Sequence, residues 1–243
     1  MFKRVIKIFV GALVYIMIML LIFICIFEHC DKSTQESIVS NYSHGMDNFY
    51  IDDGCNVENI EKINMFVDKL PSNFVTEFRN DWKVLIGSDI PYIFIEHENI
   101  PLDYKTHGIS IDGYTNWQTR IIFIREQLDV NQMLKVFIHE LGHCLDFEYG
   151  SISYSNAFQE IYLLHRDNFV EKDDDSLKQY CTISRDEFFA TCFKEYILFP
   201  EHLQDQSSQA YMFIDNFYKD IQKINLIFLY DFNDIICILR RLL

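Results

Sequence analysis

His139, Glu140 and His143 stand in the string His-Glu-Leu-Gly-His, and side chains four residues apart lie on one face of a helix. On such a face both imidazoles can bind one metal ion, while the intervening carboxylate sits one residue round, beside the water that a metal activates. The chemistry this spacing allows is zinc-assisted hydrolysis, with His139 and His143 as ligands of one Zn²⁺ per chain and Glu140 as general base. A catalytic zinc site takes three protein ligands and leaves a fourth position open. A metzincin would carry glycine and histidine three and six residues beyond the second histidine, where this chain has Asp146 and Tyr149, so that class is excluded.

The third ligand must then be a carboxylate further on: Glu148, Glu160, Glu171 or Glu187. Glu148 is too close along the same helix to swing back, and Glu171 opens the charged stretch Glu171–Asp175, read as a solvated loop. Glu160 sits in the apolar run Ala157–Leu164. Glu187 begins Glu-Phe-Phe-Ala on a stretch that Phe188, Phe189, Phe193 and Ile197 would pack beneath the active-site helix. A charge set among so many aromatics needs a partner, and a metal supplies one, which favours Glu187 over the alternative Glu160.

These residues need a scaffold. After Asp129 the apolar positions Val130, Met133, Leu134, Phe137 and Ile138 form one helical face leading into the motif. Upstream, Ile60, Ile63, Phe66, Val67 and Leu70 predict a helix ending at Pro71, and Phe74, Val75 and Phe78 a second. Short β-rich runs at Lys83–Ile86, Tyr92–Glu96, Gly108–Ile111 and Arg120–Arg125 predict a small mixed sheet. The run Arg120–Arg125 is expected to be the edge strand on which an extended peptide pairs, with Trp117 more often core than cleft in such a position. Gly142 would let a neighbouring strand approach the helix. The fold class is therefore α+β, a zincin-like metallopeptidase domain with a mainly helical C-terminal part.

The 243 residues, 49% hydrophobic, exclude a disordered chain. Lys3, Arg4 and Lys7 are the basic residues before position 28, which leaves 18 basic against 36 acidic side chains beyond it. So acidic a domain offers no footprint for nucleic acid. Residues 8–27 carry no charge and would form about 30 Å of helix, enough to span a bilayer. Positive charge before the span keeps residues 1–7 in the cytoplasm and places residues 28–57, read as a juxtamembrane linker, and residues 58–243, the folded domain, outside the cell membrane. Six cysteines beyond the span form no Cys-x-x-Cys pair, leaving buried thiols and one or two disulfides equally open. The apolar segment 219–243 is broken by Asp231 and Asp234 and reads as a packed helix or partner surface.

His-Glu-Leu-Gly-His followed 44 residues after His143 by Glu-Phe-Phe-Ala, with Tyr180 seven residues before Glu187, resembles the catalytic domain of the anthrax lethal factor-like metallopeptidases, which include the Pro-Pro endopeptidases. The resemblance runs over roughly residues 58–222 and implies a zinc endopeptidase acting on a protein or peptide. It assigns zinc to His139, His143 and Glu187, water activation to Glu140 and support of the oxyanion to Tyr180. One departure is Thr191, where the lethal factor has a second acid four positions after the zinc glutamate. A non-catalytic zincin-like membrane-bound interaction module is the competing expectation.

Overall fold

In the computed structural model the described residues are 32–52, 57–90, 112–126, 128–172 and 183–223, with the single residues Tyr15 and Met19. Helix α1 covers residues 32–39. There follow β1 (Ser43–Met46), β2 (Phe49–Ile51), α2 (Val57–Val67), α3 (Ser72–Asp81), β3 (Lys83–Gly87), β4 (Gly113–Asn116) and β5 (Ile121–Arg125). The second half is helical: α4 (Val130–Glu148), a 3₁₀ turn at Ile152–Tyr154, α5 (Asn156–His165), α6 (Arg185–Leu198), α7 (Pro200–Gln206) and α8 over residues 208–223.

The sheet has the order β1-β2-β3-β5-β4, with β2, β3 and β5 parallel and β1 and β4 antiparallel to their neighbours. Alternation along β3 and β5 divides their side chains between two faces. Val84, Ile86, Ile122 and Ile124 enter the main core with α2, α3 and α4, while Leu85, Ile121 and Phe123 meet Ile38 of α1 on the other. Both strands are therefore buried front and back, as a near-continuous Val/Ile/Leu run requires. Gln35 fastens α1 down, donating through Nε2 to the carbonyls of Asp81 and Thr119 at 2.9 and 2.8 Å.

Three expectations are corrected here. Residues 28–57 are not a linker in the described part: residues 32–39 are helical, and residues 43–51 supply two strands of the sheet, tied in by the fully buried Phe49. The run ending at Arg125 is an inner strand, because the short β4 hydrogen-bonds along its free side, so β4 ends the described sheet on that side as β1 does on the other. Glu171 is not a solvated loop residue: it is buried and ion-paired with Lys194.

Residues 8–27, apart from Tyr15 and Met19, the expected strands at 92–96 and 108–111, the acids at 173–175, Tyr180, and residues 224–243 lie outside the described residues. Among the described residues no helix is long and apolar enough to cross a membrane.

Candidate metal centre and active-site cleft

Helix α4 starts at a full capping box: Asp129 accepts from the backbone N–H groups of Asn131 and Gln132, and the Gln132 side chain accepts from the Asp129 N–H. With the start fixed there, Phe137, Ile138, Leu141 and Cys144 turn into the core, and His139, Gly142 and His143 share the opposite face. Helix α6 starts at Ser184, whose hydroxyl accepts from the Glu187 N–H at 3.3 Å. Glu187 thus occupies the first turn, where the exposed N–H groups of a helix end favour a carboxylate. Phe188, Phe189 and Phe193 are fully buried and seat α6 in the core.

The two helices cross at Gly142 and Ala190. A Cβ added to Gly142 would lie 2.8 Å from the Ala190 Cα and 3.2 Å from its Cβ, closer than atoms tolerate. It is a helix, and not the anticipated strand, that needs the missing side chain. Gly142 follows His139 by three residues and Ala190 follows Glu187 by three, so each small residue lies on the face that carries its helix's donors. The crossing brings those donors together: Glu187 Oε2 is 3.1 Å from His139 Nε2 and 3.5 Å from His143 Nε2. All three donor atoms lie within 4.8 Å of one another, and among the described residues this is the one such group.

The donors fit zinc. Two bonds of about 2.1 Å at a tetrahedral angle separate their donor atoms by about 3.4 Å, and N₂O donors with a position left open are the set a catalytic zinc takes. Glu160, the alternative, is exposed on α5 and outside the group. Glu148 is otherwise engaged, accepting from the Trp82 indole at 2.8 Å and pairing with Arg120.

Electrostatics follow from burial and contact. Burial opposes charge on His143, but the hydrogen bond it donates to Glu187 and the carboxylates of Glu140 and Glu187 outweigh it and lift His143 to about 9. Burial likewise opposes charge on Glu187, and the two histidines overcome it, holding this carboxyl well below the usual carboxylate range. A metal ion must therefore displace a proton. The folded His143 value lies above the ordinary 6.5, so the charged pair supports the metal-free fold below pH 6.5 and that support is lost as pH rises through 9. Between pH 7 and 9, zinc affinity should rise up to about tenfold per pH unit, with about one proton released per ion bound near neutrality. Calorimetric titration in buffers of different ionisation enthalpy counts that proton.

Glu140 is 6% exposed, and burial pushes its carboxyl up. Its Oε2 accepts from the Thr115 hydroxyl at 2.7 Å. A cleft of about 520 Å³ opens in front, lined in part by Tyr114, Trp117, Glu140, His143, Asp186 and Glu187. Trp117 is 50% exposed on this cleft, tilted against Phe147 at 5.4 Å, and so belongs to the cleft and not to the core. Cys144 and Cys192 are both buried. His202 pairs with the buried Glu195 at 2.8 Å, and His165 reaches Gln209.

Sequence reading did not single out four residues here. Ser184 could have been found, since Ser184 and Glu187 stand in the Ser-x-x-Glu pattern of a helix start. Asp146 served only to exclude the metzincins; buried beneath the cleft, it accepts from the Ser153 N–H and hydroxyl at 2.7 and 2.6 Å. Gly113 and Thr115 carried no signal, because their role depends on which strand covers Glu140.

No curated protein matches the chain in sequence. Among solved structures it is similar to the Pro-Pro endopeptidase PPEP-2 from Paenibacillus alvei, at 17% identity and a TM-score of 0.54, over 70% of this chain and 96% of that one. At that identity the likeness is one of fold. The family model for the anthrax toxin lethal factor N- and C-terminal domain matches residues 56–217, which include both zinc-spaced histidines and Glu187, and with that span covering two thirds of its length the chain belongs to this family.

Proposed function

We propose that the chain is a zinc-dependent endopeptidase. One observation carries this reading: two imidazoles and a carboxylate converge beside a buried glutamate at the mouth of an open cleft. His139, His143 and Glu187 would hold the ion. Zn²⁺ bound there supplies Lewis acidity and lowers the pKa of water toward neutrality. Glu140 takes a proton from the attacking water as its oxygen bonds to the scissile carbonyl carbon, and returns that proton to the amine as the C–N bond breaks. Burial, which raises the proton affinity of Glu140, suits a group that must do both. The Tyr180 hydroxyl, by family resemblance, donates to the oxyanion.

The peptide lies extended along β4, which borders the cleft at one end of the described sheet, and pairs with it by strand addition. Relatedness to the Pro-Pro endopeptidase supports a protein or peptide substrate. Full-length protein incubated with a peptide library should cleave it, lose that activity to a chelator and recover it with one equivalent of zinc. Zinc-loaded protein that cleaves nothing would instead leave a non-catalytic interaction module.

We place the enzyme at the cell membrane through residues 8–27, with the catalytic domain outside, on the apolar run and the basic residues before it. The full chain should stay with membranes through high-salt and alkaline washes, because screening does not release an apolar span. Recovery of a soluble form beginning near Cys30 would show a cleaved signal instead.

A further inference from the structure

Strand β4 does more than border the cleft, because two of its alternate residues grip Glu140. Thr115 Oγ1 lies 2.7 Å from Glu140 Oε2 and 3.0 Å from the Glu140 backbone oxygen. A hydroxyl has one proton to donate, and the nearer, charge-bearing oxygen is the stronger acceptor. Gly113, two residues earlier and on the same face of β4, meets the other carboxylate oxygen. A Cβ there would stand 2.6 Å from Glu140 Oε1, 2.8 Å from its Cγ and 2.5 Å from Val136 Cγ1. The glutamate stem therefore runs through space that only glycine leaves open, and its head is turned by the threonine. A glutamate free of both contacts has three rotatable bonds and several rotamers.

We infer that Thr115 is the positioning residue of Glu140, with Gly113 providing its berth, so that the strand that receives the peptide also aims the group that handles the proton. The inference rests on the endopeptidase reading for its kinetic consequence, but the contact itself can be tested without turnover.

Two measurements on the zinc-loaded full chain decide it. In kinetics, Thr115→Val removes the hydroxyl and keeps the shape, and it should lower kcat roughly 10- to 100-fold, the effect of misaiming a reacting group, with KM and zinc content nearly unchanged. Thr115→Ser keeps the hydroxyl and should recover most of that loss. In melting, Thr115→Val should lower Tm by about 2–4 °C in the wild-type background, as an orphaned buried acceptor does in a domain of this size, and by clearly less in a Glu140→Leu background, where only the backbone oxygen of residue 140 is left to accept. A Val variant with wild-type kcat, a Ser variant as poor as Val, or a change confined to KM would overturn the positioning role. Equal Tm losses in the two backgrounds would overturn the contact. A wild-type chain that cleaves no peptide would instead defeat the endopeptidase reading, and the melting cycle would still decide the grip on Glu140.

Discussion

Glu140→Gln should retain its zinc and lose peptide turnover by about 10³-fold or more, since general acid–base catalysis of this kind contributes at least two to four orders of magnitude. The substitution is nearly isosteric. Its amide oxygen can still accept from the Thr115 hydroxyl, and the space left by Gly113 is filled as before. None of the three proposed ligands is touched. What disappears is the ability to take a proton from water and pass it to the leaving amine. Zinc content by elemental analysis and kcat on one cleaved peptide check both halves, and an equally active Gln variant would remove Glu140 from the mechanism.

Glu187→Ala should release zinc to a mild chelator and lower the melting temperature of zinc-treated protein by roughly 10 °C. The Tm loss follows from mass action: an ion held at a thousand times its Kd favours the folded state by about 4 kcal/mol, and 1 kcal/mol moves a domain of this size by about 2–4 °C. Without Glu187, His143 also loses the carboxylate that accepts its hydrogen bond and stabilises its charged form, so the proton released on zinc binding should diminish with the affinity. Glu160→Ala, exposed on the neighbouring helix, should change neither quantity. Loss of zinc from Glu160→Ala with retention by Glu187→Ala would reverse the assignment of the third ligand.

The helices around the site were legible because each signal is local, whereas α1, in a polar stretch, was expected to be linker. The apolar face from Val130 to Ile138 predicts α4, Pro71 separates α2 from α3 as expected, and the aromatic run after Glu187 lies buried as its composition suggests. The histidine pair and Glu187 meet where spacing and context place them. The sheet was harder to read. β4 is Gly-Tyr-Thr-Asn, without a branched aliphatic residue, and it becomes a strand only because β5 offers it a partner. β1 and β2 are four and three residues long in a polar stretch, and the main apolar mark they leave is Phe49. For β5 a signal was present: Ile121 to Ile124 are four consecutive apolar residues, the pattern of a strand covered on both faces, which rules out an edge. Trp117 went to the cleft because the turn after β4 sets it against Phe147 in the last turn of α4, a tertiary fact with no sequence counterpart.

In the proposed zinc site, the close crossing at Gly142 and Ala190 would also act as a gauge for ionic radius. The close approach of α4 and α6 leaves no room for a Cβ at Gly142, and the edges of 3.1 and 3.5 Å between Glu187 and the histidines lie one turn from it. Bonds of about 2.1 Å match those edges, whereas calcium, at 2.3–2.6 Å and with six to eight oxygen ligands, needs a wider and more oxygen-rich cage. A bulkier residue at position 142 would push the helices apart and lengthen the edges before it disturbed either histidine. Any preference of the proposed zinc site among cations would thus be written partly in a residue that has no side chain and touches no ion.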